Sequence, residues 1–206
     1  MPGQSLMGQP GMGHAGCFGK LPARGDFLLR GLPRSFADPW HDWLLDGLQA
    51  SRAVLGDGWM DRYLNAPIWR FTLEPGVCGP QAAAGVMMPS VDKAGRQFPL
   101  ALVALPAPGQ TAAGTELDAA WFGAAEELAL SVLTHTLDVE AFVGSVAALS
   151  VPQPVPRSAD ATPSIGARWW TLGGEGVAEQ GFTSAGLPPA ASFVDFLTGR
   201  AEEEGA

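Results

Sequence analysis

The sequence predicts an α/β protein built around one layered sheet. Three observations carry that expectation. Strand-like and helix-like segments alternate along the chain, the pattern of a sheet covered by helices. The run Leu100–Leu105 (LALVAL) is apolar without a break, which fits an interior strand covered on both faces. Finally, 47% of the 206 residues are hydrophobic and seven are Trp, ample material for a core without disulfides.

The elements follow in order. Met1 to Ala15 reads as a flexible tail, rich in Gly, Met and Gln. Phe18 to Phe27 mixes apolar residues with Gly and Pro and reads as a short strand and a tight turn. Asp38-Pro39 has the form of a helix start, an N-cap acceptor followed by Pro at the first helical position. Trp40, Trp43, Leu44, Leu48, Ser51 and Leu55 then recur at helical spacing until Gly56. Trp59 to Leu64 suits another helical turn. Trp69, Phe71 and Leu73 alternate with Arg70, Thr72 and Glu74, predicting a strand with one buried face. Ala83 to Met88 is a second strand, and Pro89 to Gly95 a turn-rich connection. Thr115 with Asp118 resembles a capping box ahead of a helix marked by Leu117, Trp121, Leu128, Val132 and Leu133. Asp138 opens a shorter helix through Phe142, Val146 and Leu149. Pro152, Pro154, Pro156 and Pro163 mark a surface loop. Arg168 to Leu172 and Val177 to Thr183 read as strands joined at Gly173-Gly174, and Phe193, Phe196 and Leu197 as a last short helix. The expected organisation is a tail over 1–15, a single domain over 16–200 and an acidic tail over 201–206.

Charge and motifs exclude several functions. The net charge is −9, which repels phosphate backbones and argues against nucleic acid. Lys20 to Arg96 holds nine basic and eight acidic residues, whereas Gln97 to Ala206 holds three and thirteen. That asymmetry fits either an interaction surface or a solubilising excess. Cys17 and Cys78 stand in no metal or disulfide-framework spacing. The first residues lack the basic and apolar regions of a signal peptide, so the cytoplasm is the expected compartment. Gly11, Gly13 and Gly16 spell a dinucleotide fingerprint, but Pro10 precedes and Pro22 follows where a strand and a helix are needed. No cofactor or metal is expected. His14, His41 and His135 have no His or Cys partner one helical turn away.

Several segments together carry a family resemblance. They are FGKLPARGDF (Phe18 to Phe27), Leu32-Pro33, WHDWL (Trp40 to Leu44), YLNAPIWRF (Tyr63 to Phe71) and, most specific, MPSVDKAGRQFPL (Met88 to Leu100). Trp169-Trp170 and Gly186-Leu187-Pro188 followed by Phe193 extend it toward the C-terminus. The chain thereby resembles TagF, the accessory protein of bacterial type VI secretion systems, from about Phe18 to Leu197. The resemblance implies a three-layer α-β-α sandwich, here around a mixed central sheet. It also implies a cytoplasmic, non-enzymatic repressor that acts after translation on assembly of the secretion system. The implied partner is a forkhead-associated scaffold of the Fha type. Some members carry a fused phosphatase, for which 206 residues leave no room, so phosphatase activity is not expected.

No catalytic residues come with that resemblance, so candidates rest on the residues themselves. Arg24 and Asp26 flank Gly25, while Asp92 and Arg96 bracket a turn with Gly95, and Ser90 stands just ahead of it. Turns that present Asp and Arg suit recognition, because the guanidinium fork binds carboxylate or phosphate at two points. They equally suit turn closure, in which Asp accepts from nearby amides and Arg pairs locally. If the clusters pair with each other, the two turns are pinned together. Trp169-Trp170 on a strand points to opposite faces, so either both faces are covered or one Trp is an exposed binding anchor. Two functional alternatives remain: a hydrolase-like enzyme with a site on the Ser90–Arg96 turn, and a structural or chaperone-like subunit of the secretion machine.

Overall fold

A computed structural model describes residues 13–115, 118–134, 137–152 and 166–199. Seven strands form one sheet in the order β2-β1-β5-β4-β3-β6-β7. They are β1 (His14–Gly19), β2 (Leu28–Arg30), β3 (Trp69–Leu73), β4 (Ala83–Met88), β5 (Leu100–Leu105), β6 (Ala167–Thr171) and β7 (Gln180–Ser184). Every pairing is antiparallel, which corrects the expectation of a mixed sheet. The reason lies in the connections. β1–β2, β3–β4, β4–β5 and β6–β7 are neighbours joined by loops too short for the crossover that parallel strands require.

Among the described residues the helices are α1 (Arg34–Leu55), α2 (Trp59–Leu64), α3 (Ala119–Leu130), α4 (Val139–Ala148) and α5 (Val194–Thr198). Alternate strand residues feed two separate cores. Trp69, Phe71, Met87, Val103 and Trp169 pack with Trp40, Trp43, Trp59, Tyr63 and Phe196 of α1, α2 and α5. Val86, Met88, Leu100, Leu102 and Ala104 pack with Trp121, Phe122, Ala125, Phe142 and Val146 of α3 and α4. The mixed α/β class and the interior position of β5, buried at all six residues, follow the sequence reading.

Four local expectations shift. α1 begins a turn earlier than Asp38, at Arg34 after the extended Pro33, and Pro39 lies inside it. Asp38 instead meets Arg34 at 3.3 Å on the exposed face. α3 is capped by Asp118, whose carboxylate accepts from the Trp121 amide at 3.1 Å, while the Thr115 hydroxyl turns back to the Ala112 carbonyl. β3 is buried on both faces, because Arg70 pairs inside the fold with Glu126 of α3 at 2.7 and 2.8 Å. β1 takes His14 and Ala15 out of the supposed tail. The Asp138 cap is as expected, accepting from the Glu140 and Ala141 amides. The rest of the N-terminal tail, the prolines at 154, 156 and 163, Leu117, His135 and the acidic C-terminus lie outside the described residues.

Candidate functional site

Antiparallel registry brings two distant loops together at one end of the sheet. Phe18 of β1 stands opposite Ala101 of β5, and Met88 of β4 opposite Leu100. The loop leaving β1 (20–27) and the loop joining β4 to β5 (89–99) therefore emerge side by side. The Lys93 amide donates to the Arg24 carbonyl at 2.8 Å, and Arg96 donates through its guanidinium to the Gly25 carbonyl at 2.7 Å. The Ser90 hydroxyl donates to the Lys20 carbonyl at 2.8 Å. These contacts pin the turns together, though not through the pairing expected of the two clusters. Among the described residues, however, Arg24 and Asp26 enter no ion pair. Lys20 takes that role, placing its ammonium 2.8 Å from the Asp92 carboxylate.

Asp92 is the centre of this knot, with its side chain shut off from solvent. One carboxylate oxygen accepts from the amides of Ala94 and Arg96, both at 2.9 Å. The other accepts from Lys20 at 2.8 Å and from Arg96 Nε at 2.7 Å. A carboxylate has about four acceptor positions, and all four are filled. The Lys20 ammonium is the main cause that holds the Asp92 carboxyl well below the usual carboxylate range. The Arg96 amide, the Arg96 guanidinium and the Ala94 amide add to it, and burial opposes them. Gly95 completes the turn at φ 79°, a conformation natural to glycine.

This arrangement leaves little chemistry over. The buried Ser90 hydroxyl is committed to a carbonyl, and among the described residues no carboxylate or imidazole hydrogen-bonds to it. Tyr63 closes the back of the loop: its hydroxyl donates to the Ser90 carbonyl at 2.7 Å and accepts from the Ser90 amide at 3.0 Å. Burial raises the Tyr63 phenol above its ordinary range and pushes the Cys17 and Cys78 thiols up to about 12, so neither thiol is a ready nucleophile. A cavity of about 20 Å³ between Tyr63, Trp69, Met88, Pro99 and Phe196 has room for one water. No three metal-ligating side chains cluster among the described residues.

The other predicted positions separate. Arg24 is half-buried and Asp26 exposed on the first loop. Trp169 is fully buried among Trp40, Trp43, Phe71 and Phe196. Trp170 faces the other core, half-buried, with its ring 4.8 Å from Phe122 and the Arg168 guanidinium over it. Neither Trp is a fully exposed anchor, although the face that carries Trp170 is covered only in part, since Arg168 beside it is exposed. His41 joins Phe18, Phe27 and Phe98 in a ring cluster. Three residues escaped the sequence reading: Lys20, Phe27 and Lys93. Lys20 and Lys93 are the two lysines of the chain, and each lies inside a family-like segment, which is the sequence signal that marks them.

Similarity to known proteins covers these segments. The sequence over residues 16–149 matches the family described as TagF N-terminal domain, Type VI secretion system-associated. A crystal structure of PA0076 from Pseudomonas aeruginosa PAO1 is similar to this fold with a TM-score of 0.84 and 38% sequence identity. The match covers 93% of this chain and 97% of that one. No curated protein matches the chain. The family match takes in both loops of the knot and the strands that carry them, and on that ground the chain belongs to the TagF N-terminal domain family of type VI secretion system-associated proteins.

Proposed function

We propose that the chain is a non-enzymatic, cytoplasmic regulator that represses type VI secretion by binding protein, with a forkhead-associated scaffold of the Fha type as partner. One observation carries the binding half of this reading. The buried polar side chains of the family-like loops, Lys20, Ser90 and Asp92, are consumed in holding the loops to each other, so what the loops offer outward is a shaped, charged surface rather than a reactive group. The small, apolar cavity beside them supports the same reading, since substrate pockets ordinarily exceed it by more than tenfold. Family membership supports the cellular context. Among the described residues no helix is long and apolar enough to cross a membrane, which is compatible with the cytoplasm. We read the architecture as a three-layer α-β-α sandwich, on the strength of two cores on opposite faces of the sheet.

Deletion of the gene tests the regulatory half. Secretion rises when a repressor is lost and stops when a structural subunit is lost, so arrest of secretion refutes the proposal. Co-purification of the intact chain with the forkhead-associated scaffold tests the partner, and absence of a complex between the purified proteins refutes that assignment.

A further inference from the structure

We infer that the outer surface of the two-loop knot, formed by Arg24, Phe27, Lys93 and Arg96, is a docking site for an acidic protein segment that carries an apolar side chain. The inference rests on the reading that this chain works by binding protein, and it adds the surface and the chemistry of what the surface takes.

The first argument is charge. The chain as a whole carries −9. The two loops hold four cations (Lys20, Arg24, Lys93 and Arg96) against two carboxylates, Asp26 and Asp92. The Lys20–Asp92 pair is buried and cancels internally. Arg24 and Lys93 enter no ion pair among the described residues, and Arg96 keeps 64% of its side chain in solvent although it touches Asp92. A positive tip on a negative protein attracts acidic partners selectively and turns the rest of the surface away from them.

The second argument is the aromatic anchor. Phe27 is 41% exposed, an unusual state for a phenylalanine in a motif loop. Its ring is nevertheless fixed. It stacks on Phe18 at 5.8 Å, meets Phe98 edge-on at 4.7 Å and lies 5.1 Å beneath the Lys20 ammonium. An exposed aromatic held in one orientation, in a loop that also carries Arg24 and is hydrogen-bonded to the loop of Lys93 and Arg96, has the composition of an interface anchor. The third argument is rigidity. The Asp92 knot orders both loops in the free protein, so a partner does not have to supply that ordering on binding.

The test uses the full chain and a short synthetic peptide of Glu, Asp and Phe, with amide chemical shifts as the readout. Expected are shifts confined to residues 20–27 and 89–97, affinity that falls with added salt, and loss of roughly tenfold in affinity for Lys93→Glu. Lys93 is exposed and its side chain enters no ion pair among the described residues, so this variant keeps the fold. Phe27→Ala loses a comparable factor. Arg34→Glu, at the far end of α1 from the tip, leaves affinity unchanged. A peptide that shifts other residues, shifts none, or binds Lys93→Glu as well as the parent chain overturns the inference. The forkhead-associated scaffold is assayed separately. Scaffold binding that survives Lys93→Glu and Phe27→Ala refutes the docking site and leaves the proposed function standing. Peptide binding at the tip without scaffold binding does the reverse.

Discussion

Asp92 is the residue on which the two loops depend, and its environment makes an acid-sensitive contact. Four donors favour its ionised form, with Lys20 first among them. In the folded chain the carboxyl therefore stays ionised to lower pH than in the unfolded chain. Between those two ranges the unfolded state binds the extra proton, so stability rises with pH across that window. The contribution is complete above about pH 4, the ordinary value for an aspartate, and disappears as pH falls through the folded-state value. Asp92→Asn should lower the urea midpoint at neutral pH and flatten its dependence on pH below about 4. The variant also leaves the buried Lys20 ammonium without its counter-charge, so Lys20→Met together with Asp92→Asn should recover part of the loss. Identical acid slopes for the parent chain and Asp92→Asn contradict this account. The same residue shows what a sequence reveals. That Asp92 closes a turn was readable from Asp, Gly and Arg at turn spacing, whereas the meeting of the two loops was only a conditional expectation that rested on Arg24 and Asp26. That Lys20 rather than Arg24 points inward was not readable. Which of several neighbouring cations is buried depends on the β1–β5 register, set by pairs as far apart in sequence as Phe18 and Ala101.

At the scale of elements, a close contact joins α1 to the 3₁₀ turn Ala190–Phe193. An ideal Cβ on Gly47 would lie 2.4 Å from Phe193 Cδ2 and 2.6 Å from its Cγ. In an open helix, replacing Gly with Ala gains about 1 kcal/mol. Here Phe193 is 1% exposed and its ring has nowhere to go, so Gly47→Ala should cost about 1–3 kcal/mol instead. The sign alone decides the matter in urea denaturation, and a gain in stability refutes the close approach. On the other face, Arg70 ties the centre of β3 to α3 through two parallel hydrogen bonds to Glu126. Glu126→Ala strands a buried guanidinium and should cost about 3 kcal/mol. Arg70→Met with Glu126→Leu should cost clearly less than Glu126→Ala, because no unpaired charge remains. Equal losses from the single and double changes rule out stranded charge as the cause. Arg70 also explains why β3 was misread as half-exposed. Alternation of apolar and polar residues ordinarily marks a strand with one wet face, and its partner Glu126 lies 56 residues away. The start of α1 was hidden for a related reason. Asp38-Pro39 is a good local start signal, but packing of Phe36 and Ala37 into the core extends the helix through it.

For the whole molecule, the family match ends at residue 149, between α4 and β6, while the fold does not. β6 pairs with β3 across Leu73↔Ala167 to Arg70↔Trp170, so a chain that stopped at residue 152 would leave β3 as a bare edge. The core over that face would also lose Trp169, Phe193, Phe196 and Leu197. At about 1.5–3 kcal/mol for each large side chain fully buried, those four account for as much as the entire net stability of an ordinary domain. Two indole N–H groups would lose their acceptors as well: Trp43 donates to the Pro188 carbonyl at 2.7 Å and Trp69 to the Phe196 carbonyl at 2.9 Å. The chain should therefore behave as one cooperative unit over residues 16–200, and the piece 13–152 should not fold. The expected result for that piece is aggregation, or a flat near-ultraviolet circular dichroism spectrum with no cooperative urea transition. A soluble 13–152 piece that unfolds cooperatively would show instead that the C-terminal strands and α5 are an addition to a self-sufficient core. Adding residues 166–199 as a separate peptide distinguishes the cases further, since a core that needs these elements should regain its tertiary spectrum when they bind.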